Sequence, residues 1–404
     1  MDTTVLVIFV VVYLGMILGE IPGFALDRTG VALLGAIALI ATEHISLEVA
    51  WAAVDVPTIG LLFGLMVISA QLRLGGFYTA LTRRLAAATG QPDVLLAFVV
   101  GVAGLLSALL ANDIVCLAMT PILIEGCARR GLDPLPFLLA LACASNVGSA
   151  ATLIGNPQNM LIGQKLQLSF AGYLGDAGVP AVMGLVAVWW VIRWRVHGQW
   201  PKQIPFPTVT APTFNLWQTG KGLVVLSVLV LAFLVTPLPR EVLALSAAGI
   251  LLMSRRFASR DILGLVDWQL LVLFFGLFVV NHALAASGML AQITQELATL
   301  GVPLAHPSWL FVVTVLFSNV VSNVPAVMLL LPMASHPMAG PILALSSTLA
   351  GNLFLVGSIA NIIVAEQAAR LDVQITWRDH ARVGVPVTLL TLALAAGWLW
   401  WLSW

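Results

Sequence analysis

The sequence predicts an all-α polytopic membrane protein of two inverted repeats, each with five transmembrane spans and a re-entrant helical hairpin, and with broken helices at the bilayer midplane. Three observations support this fold class. The composition is strongly apolar, the two halves of the chain resemble each other, and polar residues interrupt the apolar segments at matching positions in both halves.

The composition indicates that lipid is the main solvent. Of the 404 residues, 60% are hydrophobic and 9% are charged, and the mean hydropathy is +1.03. So few charged residues cannot cover the surface of a soluble domain of this size. The net charge is zero and no basic run is longer than a pair, so nothing indicates a nucleic-acid partner and none is expected. Cys116, Cys127 and Cys143 lack metal-ligand spacing, so we expect inert buried thiols.

A tandem repeat covers nearly the whole chain. Four blocks occur in the same order in both halves: residues 54–72 match 266–284, 111–121 match 322–332, 151–159 match 353–361, and 178–180 match 384–386. Apolar composition alone does not produce four matches in one order. The sequence therefore predicts a first repeat at 1–209 and a second at 210–404.

Each predicted repeat divides into a scaffold and a set of transport elements. The scaffold spans lie within 1–90 and 220–300, and the transport elements within 91–196 and 305–404. Gly76 and Gly288 precede amphipathic stretches too short to cross lipid, so we expect interfacial arms to begin there.

Charge sets the predicted orientation. Five crossings in each copy make the second copy inverted. On this topology all but Lys165 and Arg240 of the 18 basic residues lie on one side. Because cytoplasmic loops collect Lys and Arg, that side is predicted to be cytoplasmic and both termini to be outside.

Polar interruptions within apolar segments mark the predicted site. Asn112 and Asn323 lie in the middle of apolar segments too long for one span, where a hairpin can turn. The motifs GNPQN at 155–159 and GSIAN at 357–361 place Gly, and in the first copy Pro, where a helix unwinds. Helix N-termini at such breaks attract anions, and freed carbonyl groups with Asn and Ser oxygens can hold a small cation.

The predicted substrate and ion site combines residues of both repeats: Asn112, Asp113, Ser145, Asn146, Thr152, Gly155, Asn156, Asn159, Ser322, Asn323, Ser347, Thr348, Asn352, Gly357, Ser358 and Asn361. Candidate Na⁺ positions are Asn112, Asp113 and Asn159 in one half, and Ser322, Asn323 and Asn361 in the other.

Asp113 is the carboxylate of the first tip, and Val324 is its counterpart in the second. Three roles are open for Asp113: it holds a cation, it carries a proton, or it only caps a half-helix through backbone amides. We therefore expect the first repeat to carry the coupling charge and the second to help bind the substrate. His282, within an apolar segment, is expected to form an interhelical hydrogen bond.

The motifs SNVPAVMLLLP, ATLIGNPQN and GNLFLVGSIANIIVAE resemble those of the ion transporter superfamily, especially the branch of arsenite permeases, the melanosomal P protein and divalent anion:sodium symporters. The resemblance covers nearly the whole chain. It implies a scaffold that dimerises and a transport domain that moves as an elevator, with tip motifs at 111–113 and 322–324. Neither tip reads Ser-Asn-Thr, as dicarboxylate symporters usually do, and Asn156 replaces an Asp that is frequent in the arsenite branch.

These features predict a secondary active transporter of a small anion, a carboxylate or oxyanion, coupled to Na⁺ or H⁺. The alternatives are arsenite or antimonite efflux, Na⁺/H⁺ antiport and, more distantly, an ion channel. The sequence has no Gly-x-Ser-x-Gly or His-Glu-x-x-His motif, so no enzyme is predicted. Expected partners are a small anionic or polar solute, lipid and a second copy of the chain, with no cofactor except Na⁺ as a coupling ion, in a bacterial cytoplasmic (inner) membrane.

Overall fold

The structure, a computed structural model, describes residues 2–19, 25–88, 90–201 and 212–403. Within these ranges the regular elements are helical, apart from one isolated bridge between Leu132 and Pro201. The predicted junction between the repeats, at residues 209 and 210, lies outside the described residues.

The first repeat contains ten helices in the described residues: α1 (Thr3–Leu18), α2 (Arg28–Ala41), α3 (Leu47–Ala53), α4 (Val56–Leu74), α5 (Phe77–Ala88), α6 (Pro92–Leu109), α7 (Asn112–Arg130), α8 (Pro134–Ser149), α9 (Pro157–Lys165) and α10 (Phe170–Val196).

The second repeat follows the same order: α11 (Leu216–Val235), α12 (Arg240–Leu252), α13 (Ser259–Leu263), α14 (Trp268–Ala286), α15 (Met289–Thr299), α16 (Pro307–Val321), α17 (Asn323–Leu330), α18 (Ala339–Ala350), α19 (Ile359–Ala369) and α20 (Trp377–Leu402). Short 3₁₀ turns at Leu331–Met333 and Leu355–Gly357 lie after α17 and before α19.

Both repeats therefore have the predicted fold class. In each, five helices precede a hairpin (α6–α7 and α16–α17). The hairpin is followed by a span broken into two half-helices (α8–α9 and α18–α19) and by a long last helix. By length and composition six described helices are apolar enough to cross a membrane: α4, α6, α10, α11, α14 and α20.

Matched glycines pack the scaffold helices in the same way in both repeats. A Cβ atom on Gly64 of α4 would lie 2.6 Å from the backbone of Ala244, and one on Gly276 of α14 would lie 2.6 Å from the backbone of Ala32. Each glycine therefore lets two helix backbones approach closely, α4 with α12 and α14 with α2. Because these glycines are matched in the sequence repeat, the symmetry extends to tertiary packing.

The helices pack in two groups. We call α1, α2, α4, α11, α12 and α14 the scaffold group, and α6 to α10 with α16 to α20 the hairpin group. The predicted arms are helices α5 and α15, which follow glycines in the left-handed region, Gly76 (φ 75°) and Gly288 (φ 77°). Arm α5 is attached to hairpin helix α7, where the buried Glu125 accepts hydrogen bonds from Arg83 (3.1 Å) and Arg129 (2.7 Å).

Histidine placement differs from the expectation. His282 is exposed on the surface of α14, and no interhelical hydrogen bond of its ring occurs in the described structure. The buried histidine is His380 of α20, which is 1% exposed. Since α14 is apolar on all sides, the sequence alone did not show which face turns inward.

Candidate functional site

The first hairpin tip lies against the first unwound segment. Helix α6 ends at Leu109 and α7 begins at Asn112, whose backbone N–H donates to the Gly155 carbonyl group at 3.3 Å. A Cβ atom on Gly155 would lie 2.3 Å from Ser149 O and 2.7 Å from Ser107 O, so only glycine allows the two chain segments to meet. The start of α7 is thereby held against the unwound segment that precedes α9.

Two matched asparagines hold the unwound segments in shape. They make the same pair of bonds in each repeat: Asn159 Nδ2 donates to Ser149 O (3.3 Å) and Thr152 O (3.0 Å), and Asn361 Nδ2 donates to Gly351 O (2.9 Å) and Phe354 O (3.3 Å). These bonds satisfy backbone carbonyl groups that the broken helix leaves free. The amide groups of Asn159 and Asn361 therefore fix the backbone of the site.

Asn146 joins the two repeats. Its Oδ1 accepts hydrogen bonds from Asn112 Nδ2 (3.2 Å) and Ser358 Oγ (2.8 Å). Its Nδ2 donates to Asn352 Oδ1 (2.8 Å) and Asn361 Oδ1 (3.1 Å). All five side chains are buried, so this is a network in which each polar group needs its partner.

A second cross-repeat connection runs through Thr348. Its hydroxyl accepts from Asn156 Nδ2 (3.3 Å) and Gln158 Nε2 (3.2 Å), and it donates to Asn159 Oδ1 at 3.5 Å. Asn156 also caps α9, because its Oδ1 accepts from the backbone N–H of Asn159 at 2.9 Å. The first unwound segment is thus tied to the half-helix α18 of the other repeat.

The second hairpin tip turns at Ser322. This residue has φ 78° and ψ 160°, a positive-φ conformation that is uncommon for a residue with a side chain. The turn places Asn323 next to the second unwound segment, where a Cβ atom on Gly351 would lie 3.1 Å from Asn323 Nδ2. A Cβ atom on Gly357 would lie 3.0 Å from Gly351 O, so Gly351 lies between the start of α17 and the turn that precedes α19.

Buried oxygen atoms without partners occur at both tips. Within the described structure, Ser107 Oγ and Asn112 Oδ1 of the first hairpin have no hydrogen-bond partner, and neither do Ser318 Oγ and Asn323 Oδ1 of the second. The two pairs match in the sequence repeat. Asn319 Oδ1 is a fifth unpaired oxygen, beside Gly357. Because a buried polar atom without a partner is costly, these oxygens are candidate ligand contacts.

Other predicted residues lie apart from this network. Asp113, in the first turn of α7, is only half-buried. Its carboxyl group interacts electrostatically with the carboxyl group of Asp267 in the scaffold group. Ser347 donates to Leu343 O of its own helix at 2.6 Å. Thr152 and Ser145 support the site from behind, since they donate to Ala108 O (2.5 Å) and Ala142 O (2.9 Å).

Several residues of the site were not among those predicted from the sequence. Ser107, Ser318 and Asn319 precede the tips by a few residues on hairpin legs that read as apolar helix, and Tyr173 of α10 accepts from Asn159 Nδ2 at 3.1 Å. For Ser107 and Ser318 a signal was available, because they are equivalent positions of the repeat. Tyr173 lies on the next helix after α9, and only the packing of α10 against the unwound segment brings its hydroxyl to Asn159.

Four helix N-termini and a set of uncharged oxygens therefore surround the site. In the described structure the hydrogen bonds of the Asn146 network involve no Lys or Arg side chain. Helix N-termini attract anionic groups, and neutral oxygens suit a weakly held cation. Paired hairpins and broken helices around such a site are the architecture of a membrane transporter, and this chain is an integral membrane protein of that class.

Comparison with known proteins identifies the family. A family model described as CitMHS, Citrate transporter, matches residues 5–342, so the chain belongs to this transporter family. It is 30% identical to the silicon efflux transporter LSI3 of Oryza sativa subsp. japonica, over 96% of this chain and 95% of that protein. It is also 30% identical to the inner membrane protein YbiR of Escherichia coli K12, over 81% and 84% of the two chains.

A solved structure supports the fold. The crystal structure of the Alcanivorax borkumensis YdaH transporter, described as having an unusual topology, superposes with a TM-score of 0.62 at 15% identity and covers 99% of this chain and 97% of that one. At this identity the likeness concerns the fold alone.

Proposed function

We propose that the protein is a secondary transporter that couples Na⁺ to the movement of a small anion, with the hairpin group sliding past the scaffold group as an elevator. The observation that carries the proposal is the pair of equivalent oxygen sets, Ser107 with Asn112 and Ser318 with Asn323, all buried and unpaired. Each set lies at a hairpin tip, beside an unwound segment that offers backbone carbonyl groups.

The coupling cation follows from the type of ligand. Side-chain and backbone oxygens without a formal charge suit a monovalent hard cation, which loses little hydration energy compared with a divalent one. Such a cation also satisfies the unpaired oxygens. Asp113 lies one residue from the first set, and its carboxylate would add a negative charge there when it is ionised, which supports the first repeat as the carrier of the coupling charge.

The anion is proposed to bind between the paired helix N-termini. The starts of α7 and α9, and of α17 and α19, present backbone N–H groups without intrahelical partners. Bound Na⁺ would supply the remaining positive charge, since no basic side chain joins the hydrogen-bond network in the described structure. Membership of a family described as citrate transporters favours a carboxylate as the substrate.

Uptake into proteoliposomes tests this proposal. Labelled citrate, phosphate, silicate and arsenite would each be offered with and without an inward Na⁺ gradient. We expect Ser107→Ala and Ser318→Ala each to raise the Na⁺ concentration for half-maximal uptake by about tenfold, the effect of losing one ligand contact. Ser346→Ala is the matched control, because Ser346 is buried in the same group but donates to Ile342 O of its own helix. Identical Na⁺ dependence in all four proteins would refute the proposed cation sites.

A second candidate is efflux of a neutral hydroxylated solute. The similarity to a silicon efflux transporter over 96% of the chain favours it. Silicic and arsenous acids are uncharged near neutral pH and could use the amide and hydroxyl groups of the same network. Silicate or arsenite transport that continues without Na⁺, together with no carboxylate uptake, would favour this candidate. Proton-coupled Na⁺ movement lost in Asp113→Asn would instead favour Na⁺/H⁺ antiport.

The same proposal covers assembly and orientation. We place the arginine-rich loops in the cytoplasm, because they hold nearly all basic residues. We also propose a homodimer through the scaffold group. Its helix α11 exposes large apolar side chains, including Val224, Val228 and Leu231, and chemical cross-linking in native membranes tests the dimer.

A further inference from the structure

A buried histidine lies directly behind the site. His380 is in the first turn of α20 and is 1% exposed, and its Nε2 lies 3.0 Å from the carbonyl oxygen of Asn352. Because a carbonyl oxygen can only accept, Nε2 carries the hydrogen in this contact. The ring therefore donates to the second unwound segment.

A glycine makes room for this contact. A Cβ atom on Gly384, one turn further along α20, would lie 2.3 Å from Asn352 O and 2.8 Å from His380 Nε2. Any larger residue at position 384 would push the carbonyl group and the ring apart. Two residues of α20 are thus adapted to one carbonyl group.

Asn352 transmits this contact to the network. Its side chain is fully buried, its Oδ1 accepts from Asn146 Nδ2 (2.8 Å), and its Nδ2 donates to Cys143 O (3.4 Å). Asn146 in turn holds Asn112 and Ser358, which belong to different repeats. Asn352 is therefore one of the residues that hold Asn146 in the orientation in which it bonds to both repeats.

We propose that His380 is a positioning residue for the transport site: its Nε2–H fixes the Asn352 carbonyl group, and Asn352 fixes Asn146. This inference rests on the proposed function for its effect on transport. The structural part of the inference, that the His380 hydrogen bond stabilises the packing around Cys143 and Asn352, is independent of the proposed function. His380 itself touches neither the unpaired tip oxygens nor the helix N-termini of the site in the described structure.

Two substitutions separate the hydrogen bond from the bulk of the ring. His380→Gln keeps an N–H donor of similar reach, whereas His380→Leu keeps apolar volume and removes the donor. We expect His380→Leu to raise KM for the transported solute by about tenfold with a smaller change in kcat, and His380→Gln to restore KM to within about twofold of wild type. His282→Leu, which changes an exposed histidine of α14, is the matched control and should leave KM unchanged.

A second readout does not need the solute. All three cysteines are buried. The backbone carbonyl group of Cys143 accepts a hydrogen bond from Asn352 Nδ2, whereas Cys127 lies at the far end of α7. Mass spectrometry of the full-length protein would follow alkylation by N-ethylmaleimide. We expect His380→Leu to speed alkylation of Cys143 at least about fivefold relative to Cys127 in the same molecule, and His380→Gln to leave that ratio near wild type.

Gly384→Ala disturbs the same contact through the second residue of α20. It should reproduce the KM and Cys143 effects, and it replaces His380→Leu as the test if that variant does not fold. Unchanged KM and unchanged Cys143 alkylation in the folded donor-free variant would overturn the proposal, and so would a His380→Gln variant as impaired as His380→Leu. If no tested solute is transported by the wild type, the proposed function fails, while the alkylation ratio still decides the role of His380.

Discussion

One ion pair joins the two helix groups at the end of the molecule opposite the arginine-rich loops. Lys165, the last residue of α9, places its Nζ 2.6 Å from Asp55 Oδ2, and Asp55 caps the start of α4. Arg240 of the scaffold group donates beside it to the carbonyl groups of Gly163 (2.7 Å) and Leu168 (2.8 Å). Lys165 and Arg240 are the two basic residues that the predicted topology separates from all the others, and both connect the groups.

The strength of this pair can be worked out from its burial. The Asp55 side chain is 11% exposed and the Lys165 side chain 45% exposed. Burial alone would raise the pKa of the Asp55 carboxyl, but hydrogen bonds from Lys165 and Thr58 hold that pKa below its ordinary value. With a discount for the solvated half of the ammonium group, the pair contributes about 1–2 kcal/mol. A contribution of this size corresponds to a factor of about 5–30 in the ratio of folded to unfolded protein.

A double-mutant cycle measures this contribution. We predict a coupling free energy of about 1–2 kcal/mol between Lys165→Met and Asp55→Asn in chemical unfolding at pH 7. Lys221→Met is the control, because Lys221 binds carbonyl groups within the scaffold group. In the proposed elevator movement this ion pair breaks. Both single variants should therefore also favour the state in which the hairpin group has moved away from this position on the scaffold group.

The pH dependence follows from the direction of the Asp55 shift. Its pKa is lowered in the folded protein, so the stabilisation is complete above the ordinary carboxyl pKa and is lost as the pH falls through the lowered value. Lys165→Met should therefore remove part of the loss of stability in acid. A coupling energy indistinguishable from zero, with an acid transition unchanged by Lys165→Met, would refute this reasoning.

Three further predictions concern the hairpin group. Asp113→Asn should raise the half-saturating Na⁺ concentration about fivefold, as expected for removing a nearby half-buried charge, and wild-type Na⁺ dependence would show that Asp113 does not act on the coupling cation. Gly148→Ala should destabilise the protein by about 1–3 kcal/mol in chemical unfolding, because its Cβ would lie 2.2 Å from Gly104 O; full stability would contradict this close packing. Glu125→Gln should cost about 1–2 kcal/mol by weakening the contact with Arg83 of arm α5, and unchanged unfolding would mean that the arm is held by apolar packing.

The sequence by itself determined the repeat, the hairpins and the broken helices. These features follow from where polar residues, Gly and Pro interrupt apolar runs, and lipid tolerates such interruptions only inside the protein. Asn112 and Asn323 were predictable as tip residues for this reason, and so were the unwound segments that contain Asn159 and Asn361.

Only the tertiary structure decided which side chains meet. Asn146 as the connection between the repeats, Lys165 opposite Asp55, and His380 behind Asn352 all depend on how helices distant in the chain pack. In a soluble protein the polar face of a helix indicates which side turns inward. Here lipid and the protein interior are both apolar, so polarity does not mark the inward face, and for that reason the sequence pointed to His282 while the fold buries His380.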